Sequence, residues 1–202
     1  VALIVVAITV ASLVVYMSNV RVAKANKLAL KALQSLYSEP NMAITYFNQA
    51  LQSGSPHRDD IRSDFARVVD QLMPQYIQAK RQDLGIKLFT PAYEGLKQNR
   101  VLHPYDIRNQ INIAQLAVIG AQLENKPSYL LEAQEALEDA LKKSPRRQQV
   151  QYLLAAVYSQ TGQREQAVAI LEQSWQANKK IESGWWRLAL AYNENNQKDK
   201  AK

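Results

Sequence analysis

The chain has 202 residues, of which 47% are apolar, with six glycines, no cysteine and a formal net charge of +7. Six glycines in 202 residues are less than half of the number expected at the usual glycine frequency of about 7%. β-Sandwiches with glycine-containing turns and nucleotide-binding folds with glycine-rich loops are therefore disfavoured, and an all-helical chain is expected. The lack of cysteine excludes disulfide-stapled scaffolds, thiolate metal sites and a cysteine nucleophile.

The first twenty residues form an uncharged apolar run that predicts a transmembrane helix. At ~1.5 Å per residue the run covers about 30 Å, which is the thickness of the hydrocarbon core. Tyr16 stands where an interfacial aromatic residue is expected. A buried core helix and a cleaved signal peptide are the alternatives. A signal peptide has its basic residues before the apolar run, whereas here they follow it.

A basic segment follows over residues 21–39. Arg21, Lys24, Lys27 and Lys31 all precede the first acidic residue, Glu39. The positive-inside rule therefore favours a cytoplasmic position for the downstream domain, and the same cations are attracted to anionic lipid. Because the chain begins inside an apolar run without a Met, we expect it to be the tail of a longer membrane protein.

Residues 40–125 have helical periodicity without a regular repeat. Ala43, Phe47 and Ala50 place small, large and small side chains on one helical face. An apolar stripe that starts at Ile61 runs up to Pro74, and Thr90-Pro91 predicts a kink or the start of a new helix. Since no segment alternates with a period of two, we expect irregular helical units here.

An internal repeat of 34 residues appears towards the C-terminus. The four residues of the first copy recur 34 positions later: Leu154, Ala155, Tyr158 and Ala167 become Leu188, Ala189, Tyr192 and Ala201. Trp185 is the early aromatic residue of the second copy, where the first copy has Gln151. This period and these residue types resemble the tetratricopeptide repeat, in which two antiparallel helices pack through small residues at their crossing. The triplets Ala133–Leu137–Ala140 and Ala167–Leu171–Ser174 repeat the small-large-small pattern.

These patterns predict an all-α fold, in which an N-terminal transmembrane helix is followed by a tetratricopeptide-repeat-like α-solenoid. We divide it into the span (1–20), a basic juxtamembrane helix (21–39), irregular repeat-like helical units (40–125) and regular tetratricopeptide repeats (126–202), the last one truncated. Trp175, Trp185 and Trp186 fall on or next to repeat core positions and are expected to pack between repeats.

The residues that could have chemical roles do not form a recognisable site. His57 and His103 each stand beside a proline in an expected loop and match no metal-binding spacing, so we predict no catalytic residue, metal or cofactor in this segment. The excess basic charge is concentrated at the juxtamembrane segment, one inter-repeat turn and the lysine-rich end, which argues against nucleic acid as a partner. Gln151 and Asn193 are candidates to contact a protein or peptide partner on the concave face of the repeats.

The order of these features resembles the C-terminal region of O-antigen ligase and polymerase family membrane proteins of bacteria. The resemblance rests on the terminal membrane helix, the basic segment NVRVAKANKLALKAL, the first helical unit EPNMAITYFNQALQSGSP and the segment beginning HRDDIRSDFARVV. It implies a location at the bacterial inner membrane and a parent protein that transfers or polymerises lipid-linked glycans in lipopolysaccharide assembly, with its catalytic residues upstream. The alternative is a stand-alone, single-span scaffold that binds protein partners in envelope assembly.

Overall fold

A computed structural model describes residues 2–201, and every regular element in that range is helical. The all-α prediction is confirmed, and the architecture is a tetratricopeptide-like α-solenoid. The helices are α1 (Ala2–Val15), α2 (Arg21–Ser35), α3 (Pro40–Gln52), α4 (Arg58–Gln78), α5 (Gln82–Leu102), α6 (Ile107–Leu123), α7 (Ser128–Lys143), α8 (Gln148–Gln160), α9 (Arg164–Ala177), α10 (Glu182–Glu194) and a closing 3₁₀ turn (Lys198–Ala201).

The chain divides into two compact units, residues 1–99 and 100–202. In unit 1 a π-helical turn, Tyr16–Val20, joins α1 to α2, so that the helix is continuous from Ala2 to Ser35. This helix is long and apolar enough to cross a membrane by length and composition. All of its described residues up to Val20 are exposed, so the buried-core alternative does not hold. A signal sequence has the same composition, and the membrane span therefore stays a prediction.

The remainder of unit 1 is built on the predicted small-large-small face of α3. Ala43, Phe47 and Ala50 are at most 2% exposed, and small side chains at the crossing let α2 approach α3 closely. The ring of Phe47 stacks on that of Phe65 in α4 at a centroid distance of 4.1 Å. Tyr76 Oη, near the end of α4, donates to Leu36 O at 3.1 Å, so α4 runs alongside α2.

Two prolines lie inside helices. Pro74 is within α4, and Pro91 is within an unbroken α5 and does not start a new helix. A proline removes one helical hydrogen bond and crowds the preceding turn. In α5, Phe89, Ala92 and Tyr93 are buried around Pro91, and the rings of Phe89 and Tyr93 stack at 5.2 Å on either side of it in sequence. Tertiary packing therefore outweighs the local preference of proline.

A buried polar cluster connects α4 and α5 in unit 1. Asn99 of α5 donates to Asp59 O at 2.9 Å and to Ser63 Oγ at 3.2 Å, and its Oδ1 accepts from Arg62 Nη1 at 3.2 Å. Arg62 is only 9% exposed and also pairs with Asp59 at 3.0 Å. Desolvation lowers the pKa of the Arg62 guanidinium, although the charge of Asp59 opposes the shift. The stem of Arg62 passes beside Gly95, where a methyl group would lie 3.3 Å from its Cγ.

Unit 2 contains two helix pairs, α6–α7 and α8–α9, followed by α10. The predicted small-large-small triplets of α7 and α9 are all buried, at 5% exposure or less, which confirms their role at the helix crossings. Gly162, at φ 79°, ends α8 in a left-handed turn, and Gln163 N donates back to Tyr158 O at 2.8 Å.

Candidate functional site

The first helices of the repeats in unit 2 have an equivalent fourth position, occupied by Gln110, Gln151 and Trp185. The two glutamines are buried, with 0% and 2% of their surface exposed. Each directs its Nε2 to the carbonyl of a proline six residues earlier, Pro104 at 3.5 Å and Pro145 at 3.0 Å. A buried glutamine amide therefore hydrogen-bonds to the loop that precedes α6, and another to the loop that precedes α8. In α10 the aromatic ring of Trp185 occupies the equivalent position.

This arrangement corrects the assignment of Gln151 to a partner-contacting surface. A polar residue at a repeat position is expected to face solvent, but the Pro145 carbonyl needs a donor, and burial of the glutamine supplies one. Asn193 is exposed on α10, and its contact with a partner stays a prediction.

An exposed face of α10 and its counterpart on α8 form the strongest candidate surface. Trp186, Leu190 and Asn193 follow one another at i, i+4 and i+7, which places them on one side of the helix. Trp186 is 71% exposed and Leu190 51%. We call the Trp186 face the surface formed by these three residues and by their equivalents 34 positions earlier, Tyr152, Ala156 and Ser159.

The two helices that form the Trp186 face, α8 and α10, are in contact. The guanidinium carbon of Arg187 lies 5.0 Å from the centre of the Tyr152 ring, a cation–π distance that ties α10 to α8. Gly184 permits this approach, because a methyl group there would lie 2.8 Å from Tyr152 Oη. Behind the face, Trp175 and Trp185 pack with their ring centroids 6.0 Å apart. The prediction that all three tryptophans pack between repeats is therefore wrong for Trp186.

A hydrogen bond that recurs with the 34-residue period fixes each of these helices to the one before it. Tyr158 Oη donates to Glu138 Oε1 at 3.1 Å, and Tyr192 Oη donates to Glu172 Oε1 at 2.7 Å. Desolvation, followed by the bond to the carboxylate, raises the pKa of both phenols to about 12. The repeat signature had identified the two tyrosines as core residues, but it gave no role to the glutamates.

The other predicted core residues of the repeat are buried to different degrees. Leu154, Ala155, Ala167 and Leu188 are at most 3% exposed, whereas Ala189 and Trp185 are half-buried. Ala201 lies in the closing 3₁₀ turn and is also half-buried.

Unit 1 has a groove of its own, of ≈ 460 Å³, between α2, α3 and α4. Its floor contains Leu33, Phe47 and Phe65, and Asp60 and Asp64 line it from α4. The side chain of His57 also lines the groove, and its Nδ1 lies 3.6 Å from the Asp60 carboxylate. Among the described residues, no three His, Cys, Asp or Glu side chains are grouped so that they could hold a metal ion.

The comparison with protein families identifies the part of unit 2 that runs from α7 into α10. Residues 130–190, from α7 into α10, match the model of the tetratricopeptide repeat family. This segment consists of tetratricopeptide repeats. The match includes Tyr152, Trp186 and Leu190, so most of the Trp186 face lies on tetratricopeptide first helices.

Solved structures share the fold at low sequence identity. A thermophilic TPR protein of Thermus thermophilus matches with a TM-score of 0.55 and 22% identity, over 88% of this chain and 86% of its own. The MamA protein matches at 0.56 and 17%, over 92% and 86%. PilF of Pseudomonas aeruginosa matches at 0.52 and 17%, over 90% and 73%. At these identities the likeness shows the fold alone. No curated protein sequence matches the chain significantly.

The exposed position of Trp186 could have been found from helical geometry. If Trp185 packs inwards, the next residue points about 100° away from it around the helix axis. Leu190 and Asn193 continue the side on which Trp186 lies, so the three residues form a stripe on α10. The burial of Gln110 and Gln151 could not be predicted in this way, because only the folded loop shows which carbonyl oxygen accepts a hydrogen bond from each amide.

Proposed function

We propose that this chain is a membrane-anchored interaction domain whose tetratricopeptide repeats bind an extended segment of a protein partner on the Trp186 face. The observation that supports it most is the exposure of Trp186, at 71%, beside Leu190 and Asn193 on a repeat helix. Tryptophan in the centre of an interface often provides a large share of the binding free energy. An apolar partner side chain would pack on Trp186 and Leu190, and the Asn193 amide would bond the partner backbone.

The membrane part of the proposal is supported by the exposed apolar stretch of the continuous helix Ala2–Ser35. A large, contiguous apolar surface left open to water is unfavourable and marks a site for lipid or another protein. The basic residues that follow it suit the lipid headgroup region.

We further propose that the chain is the accessory tail of an O-antigen ligase or polymerase-like protein at the bacterial inner membrane. This part rests on the resemblance of the membrane helix, basic segment and first helical unit to that family. Glycosyl transfer would then occur upstream, and the repeats would recruit a partner. Ten or more apolar spans encoded upstream of Val1 would support the proposal. A start codon within a few residues of Val1 would instead favour the single-span scaffold.

A binding experiment tests the Trp186 face. Peptides selected from a random displayed library against the full chain in lipid nanodiscs would be measured by fluorescence polarisation. Trp186→Ala is expected to weaken their binding by roughly thirtyfold, which corresponds to the loss of about 2 kcal/mol at an interface hot spot. Leu131→Ala is the matched control, because Leu131 is a comparably exposed apolar residue, at 62%, on the second helix α7. Failure to select any peptide, or equal effects of the two substitutions, would contradict the proposal.

A further inference from the structure

The turn between α3 and α4 lies level with the first residue of α2. Arg21 Nε donates to Ser53 O at 3.2 Å, just after the end of α3. A methyl group on Gly54 would overlap Arg21 Nη2, so the guanidinium rests directly on this turn. Arg21 is also the first charged residue after the apolar run. The turn therefore lies at the level where that run ends.

The start of α4 lies at the same end of the unit. Tyr76 near the end of α4 contacts Leu36 just beyond the end of α2, and the two helices run side by side. From Tyr76 back to Arg58 is about 27 Å of helix, and from Leu36 back to Arg21 about 22 Å. Arg58 thus lies level with Arg21 or slightly beyond it, on the side of the apolar run.

Exposed cations from two distant segments of the sequence therefore lie at similar heights at this end of the unit, which we call the headgroup end. Lys24 and Lys27 are exposed on α2, about 5 and 9 Å along the axis from Arg21. Arg58 is exposed at the start of α4. All of these heights are within or close to the Debye length of about 8 Å at physiological salt. From the sequence, only the cations of the juxtamembrane segment 21–39 were expected at the lipid surface.

Of the two carboxylates at the headgroup end, Asp59 is paired with a cation, whereas Asp60 has only an imidazole beside it and is outnumbered by Arg21, Lys24, Lys27 and Arg58. Asp59 Oδ1 lies 3.0 Å from Arg62 Nη1, and Asp60 Oδ2 lies 3.6 Å from His57 Nδ1. Lys31 is about 15 Å from Arg21 along α2, where its Nζ lies 5.4 Å from the centre of the Tyr46 ring. The headgroup end therefore keeps an excess of positive charge that faces the end of the apolar run.

We infer that the headgroup end rests on the bilayer surface and binds anionic phospholipid headgroups through Lys24, Lys27 and Arg58. The inference rests on the proposed membrane anchor and adds to it a second, non-inserted contact made by the α3–α4 turn. This contact fixes how the first helical hairpin stands on the membrane. The binding partner of the headgroup end is an anionic lipid surface, because insertion of the apolar run brings these cations to the lipid headgroups and the charges are complementary.

The test uses the lack of native cysteine in the full chain. A fluorophore is attached at Pro56→Cys, in the turn, or at Ser38→Cys, just beyond the end of α2. Ser38 is at the opposite end of the same hairpin, more than about 22 Å along the helix axis from Arg21. Pro56 and Ser38 are both exposed. The chain is reconstituted in vesicles of phosphatidylcholine, with or without about one third phosphatidylglycerol, and a headgroup-linked nitroxide lipid quenches the fluorophore.

The label at position 56 is expected to be quenched about threefold more than the label at 38, and more strongly when phosphatidylglycerol is present. Lys24→Gln with Arg58→Gln removes two of the three proposed lipid-binding charges and should strongly reduce the dependence on phosphatidylglycerol. Lys31→Gln with Lys87→Gln removes the same charge away from the headgroup end and should preserve it. Lys31 and Lys87 are both exposed, which makes the two pairs comparable.

Extraction with alkaline carbonate separates the two levels of the proposal. If the wild-type chain is extracted from the vesicles, the membrane anchor is refuted and the lipid contact with it. If the chain resists extraction but positions 56 and 38 are quenched equally, only the lipid contact is overturned. Quenching at position 56 that does not respond to phosphatidylglycerol, or that responds equally in both charge variants, would also overturn it.

Discussion

Removing the hydroxyl of Tyr158 should destabilise unit 2 through the loss of one hydrogen bond to a charged acceptor. Tyr158 Oη donates to Glu138 Oε1 at 3.1 Å, and Gln134 Nε2 donates to the same oxygen at 2.8 Å. Tyr158→Phe keeps the ring and its packing. The carboxylate is left with the glutamine donor, so the variant does not bury an unpartnered charge.

The magnitude follows from the class of hydrogen bond. A hydrogen bond to a charged group contributes about 1.5–3 kcal/mol. Because Tyr158 is half-buried and the glutamine donor remains, we expect the free energy of unfolding to fall by about 1–2 kcal/mol.

Desolvation of the phenol, together with its bond to Glu138, predicts a dependence on alkaline pH. The pKa of Tyr158 is higher in the folded chain than in the unfolded one, so its contribution is complete below pH 10 and is lost as the pH rises towards about 12. The stability difference between wild type and Tyr158→Phe should therefore shrink over this interval. Urea unfolding followed by tryptophan fluorescence suits the test, since all three tryptophans lie in α9 and α10.

Two results would refute this account of Tyr158. One is a free energy of unfolding within about 0.3 kcal/mol of wild type at pH 7, below the value of an ordinary hydrogen bond. The other is a stability difference that stays constant from about pH 9 to about pH 11.5, because the loss would then come from packing and not from the titrating phenol.

Two further predictions concern the glycine turns and the buried polar cluster. Gly162→Ala should cost about 1 kcal/mol, because φ is 79° but the space is open, whereas Gly54→Ala should cost more, since φ is 71° and the new methyl group would displace Arg21. Thermal unfolding of the matched pair checks the order, and equal losses would contradict the contact of Arg21. Asn99→Ala should cost roughly 2–3 kcal/mol by leaving Arg62 buried with fewer acceptors, and Asn99→Ala as stable as wild type in urea would contradict the buried cluster.

The helix crossings were predictable from the sequence because their packing depends on a local spacing. Small, large and small side chains at i, i+4 and i+7 lie on one helical face whatever the length of the repeat. The triplets of α3, α7 and α9 were identified in this way and are buried. The equivalent face of α5 consists of Ala92, Leu96 and Asn99. It was not predicted, because an asparagine occupies the third position, where the pattern has a small residue. Only the fold shows that Arg62 and Asp59 O satisfy that amide.

Of the turns that end the first helix of each pair, the sequence predicted only one, at Gly162. Lys80, Asn125, Gly162 and Asn196 all have a positive φ two residues after their helices end, and the next residue donates back across the turn in every case. Glycine adopts this conformation at no steric cost and asparagine at little, so Gly162 was recognised and the others were not. The turn geometry is thus common to pairs of different lengths, although the residue that forms it varies.

The irregular spacing of the middle repeats is a matter of helix length and not of a different architecture. Gln110 and Gln151 are equivalent but 41 residues apart, whereas Gln151 and Trp185 are separated by the standard 34. Of the seven extra residues, four lengthen α6 from 13 to 17 relative to α8, two lengthen α7 from 14 to 16 relative to α9, and one lies in the loop between α6 and α7. Residues added at the helix ends leave the crossing triplets in register. A search at one fixed period therefore misses units that pack in the same way, and the positions at which buried side chains meet are the more reliable guide to the repeat.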